Sequence, residues 1–167
     1  TTHYLTDMHR IYLDHNATTP PAGPVVDRMA VALREDFGNP SSVHHFGQRS
    51  KAAVDQARSA VAALIGSDVS DVVFTSGGTE SDNLAIRGAA EALERTGRLH
   101  LIASAIEHEA VLNTLKALAK RGWTTTILPV DGTGIVSPDA LRDALTDQTA
   151  VVSVMHANNE IGTVQPI

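Results

Sequence analysis

The sequence predicts an α/β fold of three layers, with helices packed on both faces of a mostly parallel sheet. Short β-branched runs alternate with stretches of helical period from one end of the chain to the other. Three of those runs lead into polar segments carrying glycine, histidine or asparagine, at residues 76–79, 105–108 and 156–160. No internal repeat, low-complexity tract or interdomain linker interrupts the pattern.

Taken in order, residues 10–13 read as a short extended segment, followed by a polar, proline-bearing stretch to Pro24. Residues 24–37 read as a helix with Val26, Met29, Ala30 and Leu33 on one face, broken by Gly38, Asn39 and Pro40. A long helix follows over residues 45–65. Its buried stripe is expected at Val54, Ala57, Val61 and Leu64, with Lys51, Asp55 and Arg58 in solvent and Gly66 as the stop. Residues 72–75 read as a strand, and Ser76, Gly77 and Gly78 turn the chain into a helix over 79–96. Residues 99–103 form the next strand and 107–121 the next helix, with Val111, Leu115 and Leu118 in register. A strand is expected at 124–128. Ser137 and Pro138 then supply the N-cap and first position of a short helix. The most apolar run, 150–155, reads as a central strand, and residues 156–162 as the turn after it.

Composition narrows the function classes. The 167 residues are 43% hydrophobic and 19% charged, enough for one domain with a core. No apolar run approaches the length of a membrane span, and Thr1 to Arg10 lack the apolar stretch of a signal peptide, so a cytoplasmic protein is expected. The absence of cysteine removes disulfides, thiolate metal sites and a cysteine nucleophile from this stretch. A net charge of −6 with interspersed signs argues against direct nucleic-acid binding.

In open α/β sheets the ligand crevice lies outside the carboxyl ends of the strands. Parallel strands would therefore bring the three polar segments to one edge. In Ser76-Gly77-Gly78-Thr79-Glu80-Ser81, free N–H groups at a helix start favour a phosphate, the glycines let backbone approach it, and Thr79 adds a hydroxyl. No lysine follows, so this is not the nucleotide loop of that type. Read locally, the same residues also suit a tight turn, with Thr79 as the cap and Asp82 three residues on. His108, at a helix start, can stack on a planar cofactor or exchange protons, or can be a surface histidine. Glu107 and Glu109 flank it but point in other directions, and no metal-ligand spacing exists, so no metal is expected. Asn158 and Asn159 can bond a phenolate or carboxylate while neutral, or can cap a turn in which Gly162 supplies the unusual dihedral. His15 and Asn16, before Ala17-Thr18-Thr19-Pro20, lie in an arm that either reaches a partner surface or is solvated.

Together these strings resemble the cysteine desulfurases of the class V aminotransferase family. The resemblance rests on Tyr12-Leu13-Asp14-His15-Asn16-Ala17-Thr18-Thr19-Pro20, on Gly38-Asn39-Pro40-Ser41-Ser42 with His44, and on Phe74-Thr75-Ser76-Gly77-Gly78-Thr79-Glu80-Ser81-Asp82-Asn83-Leu84-Ala85. Glu107-His108 with Ala110-Val111-Leu112, and Met155-His156-Ala157-Asn158-Asn159-Glu160-Ile161-Gly162, complete it.

The resemblance implies the large domain of a fold-type-I enzyme using pyridoxal 5'-phosphate, incomplete in this chain. Residues 24–167 would be its amino-terminal part, and 1–23 an arm belonging to the small domain. It implies a cytoplasmic homodimer that takes sulfur from L-cysteine, leaves L-alanine and an enzyme-bound persulfide, and passes the sulfur to acceptor proteins, as in iron–sulfur cluster assembly. Gly78 and Thr79 match cofactor-phosphate positions. His108 matches the residue that stacks on the ring and takes part in proton transfer. Asn159 matches the amide near the phenolic oxygen and the substrate. Asn16, Ala17 and Thr18 match the arm that approaches the substrate carboxylate.

Family members are more than twice this length. The Schiff-base lysine and nucleophilic cysteine are expected beyond Ile167, because Lys51, Lys116 and Lys120 all fall on helices. The 167 residues alone are expected to be inactive. A selenocysteine lyase, a related transferase or a non-catalytic binding module on the same fold are the alternatives.

Overall fold

The computed structural model describes residues 11–167; Arg10, and with it Thr1–Arg10, lies outside the described residues. The chain divides into two compact units, one ending at Phe74 and the other running from Thr75 to Ile167.

In the first unit, α1 (Gly23–Glu35) and α2 (His45–Ile65) are joined by a turn that only glycine can serve at two places. A Cβ at Gly38 would collide with the Phe46 carbonyl, and one at Gly47 with the Ser42 and Asn39 carbonyls. Arg49 spans the joint, with Nε 2.8 Å from Asp36 Oδ1 and a second ion pair to Glu35. Ser50 Oγ donates to the Asp36 carbonyl at 2.7 Å. His44 caps α2, its Nδ1 accepting from the Gly47 N–H at 3.3 Å, and Gly66 ends the helix in the left-handed region.

The expected buried stripe of α2 is not observed: Leu64 is 85% exposed, Val54 and Ala57 are also exposed, and the buried apolar residue is Ala62. Likewise α1 buries none of its residues. Amphipathic spacing sets the face a helix offers; among the described residues of this unit, α2 is covered only where it meets the α1 turn and the short 3-10 turn at Val69–Asp71. Arg58, expected in solvent, donates to the Val72 carbonyl and lies 5.0 Å over the Phe74 ring.

In the second unit, β1 (His100–Ser104), β2 (Thr124–Leu128) and β3 (Thr149–Ser153) form a parallel sheet in the order β2–β1–β3. α3 (Gly78–Glu94) and α4 (Glu109–Ala119) cover one face. Ile86 and Ala90 of α3 and Val111, Leu115 and Leu118 of α4 pack there on Leu101 and Ala103, with Trp123 beside them. α5 (Pro138–Ala144) covers the other face, where Ile102, Leu128 and Val136 meet Leu141 and Ala144. Alternation along β1 thus feeds two cores, and the three-layer α/β architecture expected from the sequence is present.

Two strand assignments need correction. Residues 72–75 are not in a strand: they have no ladder partner among the described residues. The apolar run expected as a central strand is β3, which lies at an edge of this sheet, while β1 is central and buried throughout. Across the three strands, His100, only 7% exposed, bonds Thr149 Oγ1 through Nδ1 at 2.9 Å and Thr126 Oγ1 through Nε2 at 2.8 Å. A register shift falls immediately after the His100–Thr149 pair, so Leu101 meets Val151.

Candidate active site

The start of α3 offers backbone donors to open space. Ser81 N–H makes the first bond of the helix, to the Gly77 carbonyl at 3.1 Å, so the N–H groups of Gly78, Thr79 and Glu80 precede any partner within the helix. The turn before it is closed by Glu80, whose carboxylate accepts from the Ser76 N–H at 2.7 Å and the Ser76 hydroxyl at 2.6 Å. Those bonds, the hydroxyl's first, hold the Glu80 carboxyl below its ordinary range. This corrects the local reading of the turn: Gly77 is the N-cap residue, and the side chain reaching back is Glu80, not Thr79 or Asp82. A Cβ built on Gly77 or Gly78 meets no atom within 4 Å; Gly77 is extended and Gly78 helical, so neither is in the left-handed region. Neither packing within the chain nor backbone conformation requires glycine there. What glycine leaves is bare N–H groups beside open space, which suits a phosphate.

His108 is the N-cap of α4, its Nδ1 accepting from the Ala110 N–H at 3.1 Å. That bond assigns the proton of the neutral imidazole to Nε2. The histidine lines two cavities. One, of about 330 Å³, is shared with Thr79, Asn83 and Arg87 of α3. The other, of about 340 Å³, is shared with Glu107 and with Met155, Asn158 and Asn159 beyond β3. Residues far apart in sequence are thus gathered around one imidazole, at the carboxyl ends of β1 and β3.

Hydrogen bonds fix that gathering. Asn83 Nδ2 donates to the Thr79 carbonyl at 2.9 Å, and its Oδ1 accepts from the buried Thr114 hydroxyl at 2.8 Å, tying the second turns of α3 and α4 together. Asn158 is the turn-forming amide of its pair. Its Oδ1 accepts from the Glu160 and Ile161 N–H groups at 2.8 and 2.9 Å, and its Nδ2 donates to the Ile106 carbonyl at 2.9 Å. Gly162 follows with φ +75°, the role expected of it. Asn158 is thus spent on the loop, and Asn159 is the amide of the two that the sequence reading placed in the site.

Sequence reasoning missed three residues here. Asn83 was legible in principle, four residues after Thr79 on the same helix face. Glu80 was legible as a first-turn acid. Glu107 was not: it is buried, and its Oε1 accepts from Ser104 Oγ at 3.0 Å and from the Met155 N–H at 2.5 Å, 48 residues away.

Asn16, Ala17 and Thr18 lie in the first unit, in a turn closed by Ala17 and Thr18 N–H bonds to the Asp14 carbonyl at 3.2 and 3.3 Å. Tyr12 staples the turn, its hydroxyl bonding the Asp14 and Thr18 carbonyls, and His15 Nδ1 meets Thr19 Oγ1 at 3.0 Å. Among the described residues no cluster of three or more histidines or carboxylates is placed to hold a metal, and no helix is long and apolar enough to cross a membrane.

The profile of the class-V aminotransferases matches residues 11–167. The chain belongs to that family. Among curated class-V relatives, the cysteine desulfurase IscS of Dictyoglomus turgidum is 50% identical over 157 residues, 94% of this chain and 40% of the relative. The cysteine desulfurase IscS of Methanosarcina thermophila is 49% identical over 162 residues, 97% of this chain and 40% of the relative. A solved NifS-like protein superposes with a TM-score of 0.89 at 40% identity, over 94% of this chain and 43% of that one. A structure described as SspA in complex with cysteine superposes at 0.86 with 39% identity, over 93% of this chain and 44% of that one. The chain therefore spans about two fifths of the length of the curated class-V relatives it matches.

Proposed function

We propose that this chain is the amino-terminal part of a pyridoxal-phosphate-dependent cysteine desulfurase. The reaction breaks the C–S bond of L-cysteine and forms an S–S bond on an enzyme thiol, leaving L-alanine and a persulfide. With no cysteine among the 167 residues, that thiol belongs to another part of the protein. The observation that carries the reading is the placement of His108 on two cavities, one shared with Thr79 and the other with Asn159. One small molecule with an anionic tail and a planar ring is the ligand class that such a pair of neighbouring cavities suits.

The N–H groups of Gly78 and Thr79, with the Thr79 hydroxyl, hold the cofactor phosphate. The ring of His108 would lie against the cofactor ring and would move a proton at Nε2, the atom left after Nδ1 is committed to Ala110. The Asn159 amide bonds the phenolic oxygen and substrate while staying neutral. Asn16, Ala17 and Thr18 belong to an arm, residues 1–23, that joins the small domain and meets the substrate carboxylate. When bound, pyridoxal phosphate supplies the electron sink, and the protein supplies anchoring, orientation and proton management. The relatives named IscS, and the cysteine held by a solved relative, support L-cysteine as the substrate. The same names favour sulfur delivery toward iron–sulfur cluster assembly. A cytoplasmic homodimer that hands its persulfide to acceptor proteins is part of the proposal on the family resemblance alone.

The full-length protein should bind pyridoxal phosphate, seen as a near-visible absorption band, and should release alanine and sulfide one for one from cysteine in the presence of a thiol reductant. Absence of alanine refutes the reading; alanine from selenocysteine but not from cysteine reassigns the substrate. The 167 residues alone should show no desulfuration, and measurable turnover by them would overturn that part.

A further inference from the structure

Glu107 is a buried carboxylate that the proposed chemistry does not use. It lies between Ile106, whose carbonyl receives the Asn158 amide, and His108. Its Oε1 takes two hydrogen bonds, from Ser104 Oγ at 3.0 Å on the last residue of β1 and from the Met155 N–H at 2.5 Å just beyond β3. Ser104 is completely buried and Met155 is half-buried. No Lys or Arg forms an ion pair with Glu107 among the described residues, so its bonds are to neutral donors, in the charge-assisted class that is short and strong. The 156–162 loop is therefore held at two points: at its root by Glu107 on the Met155 amide, and three residues on by Asn158 on the Ile106 carbonyl. Both anchors sit on the segment that ends in His108.

We infer that Glu107 is a positioning residue: through the Met155 amide its carboxylate sets where the 156–162 loop leaves β3, and so where Asn159 stands relative to His108. Glu107 acts as a hydrogen-bond acceptor and not as a charge or a proton carrier. The functional half of this inference rests on the proposed desulfurase reading; the structural half does not.

Two substitutions in the full-length protein test it. Glu107→Gln keeps an oxygen where Oε1 stands and removes the charge; Glu107→Ala removes the acceptor. Amide hydrogen exchange at Met155, cofactor absorption and cysteine turnover are read for each. Glu107→Ala should speed exchange at Met155 about tenfold or more and lower kcat by about tenfold to a hundredfold, the scale of a slightly misplaced catalytic group. Glu107→Gln should restore slow exchange, the wild-type cofactor band and kcat within about threefold. Loss of turnover in Glu107→Gln with the Met155 amide still protected would overturn the inference, because the charge and not the position would then matter. Unchanged exchange in Glu107→Ala would overturn it equally. If Glu107→Ala does not fold, Glu107→Gln alone decides, by those two readouts together. If wild-type protein makes no alanine, the desulfurase reading fails, while exchange at Met155 still decides whether Glu107 fixes the loop.

Discussion

His108 has two separable jobs, and two substitutions should pull them apart. Its Nδ1 caps α4 through the Ala110 N–H at 3.1 Å, while its ring lines both cavities. Asparagine is among the best N-cap residues, and its side-chain oxygen can take the place of Nδ1. His108→Asn should keep the cap and lose the ring; His108→Ala should lose both. A side-chain cap contributes about 1 kcal/mol, and the exposed position of His108 places it no higher. That figure corresponds to roughly fivefold in the local opening equilibrium. Exchange of the Ala110 amide, followed by NMR or peptide-level mass spectrometry, should therefore be about fivefold faster in His108→Ala than in His108→Asn, with His108→Asn close to wild type. On the proposed desulfurase reading, cysteine turnover by the full-length protein should fall in both variants alike, by about a hundredfold to ten-thousandfold, the usual scale for loss of a proton-transfer group. Equal Ala110 exchange in the two variants would refute the capping role. Turnover retained by His108→Asn would refute the role of the ring.

Gly78→Ala places its Cβ in open space at the start of α3, so the unfolding free energy should hold or rise, by no more than about 1 kcal/mol. Affinity for pyridoxal phosphate should nonetheless fall about tenfold or more in an absorbance titration, the scale of one lost bond to a charged group; unchanged affinity would remove the cradle from the site. The Asp131 carboxyl is held below its ordinary range, chiefly by the Thr133 hydroxyl and then by the Ile135 and Thr133 N–H groups. A carboxyl lowered in this way contributes stability above its unfolded-state pKa and loses it as pH falls through the folded value. The stability gap between wild type and Asp131→Asn, measured by denaturant melts, should therefore be constant near neutrality and close in acid below the ordinary carboxylate range. A gap that stays flat through the acid limb would contradict this.

Elements whose causes are local were legible from the residues. The bounds of α2 and β2 agree with their expected ranges because each is set by cues inside or beside the element: a helical period ended by Gly66 for α2, and a compact β-branched run for β2. The Ser137 cap is present for the same reason, its side chain accepting from the Ala140 N–H. Strand order was less legible. Apolarity reports what covers the faces of a strand, not which strand lies beside it, so the most apolar run was placed centrally and stands at an edge. Residues 72–75 have strand composition, but a strand also needs a ladder partner, and composition does not provide one. In the site, Gly78, Thr79, His108 and Asn159 were picked out by resemblance, and the structure brings Thr79, His108 and Asn159 together around the same pair of cavities. Glu107 escaped because nothing near it in sequence announces that an amide 48 residues on will need its oxygen.

At the far edge of the sheet from those cavities, the imidazole of His100 works as a gauge of strand alignment. A threonine hydroxyl can give or take a hydrogen bond, so either tautomer of the ring can satisfy both neighbours. Slipping β3 so that Ala150 took the place of Thr149 would leave Nδ1 without its hydroxyl partner in a buried place. The β1–β2 register runs unbroken from His100 to Ser104, whereas the β1–β3 register steps by one residue directly after Thr149, so the His100 contact fixes where β3 starts and that step sets the height at which the loop bearing Asn159 departs.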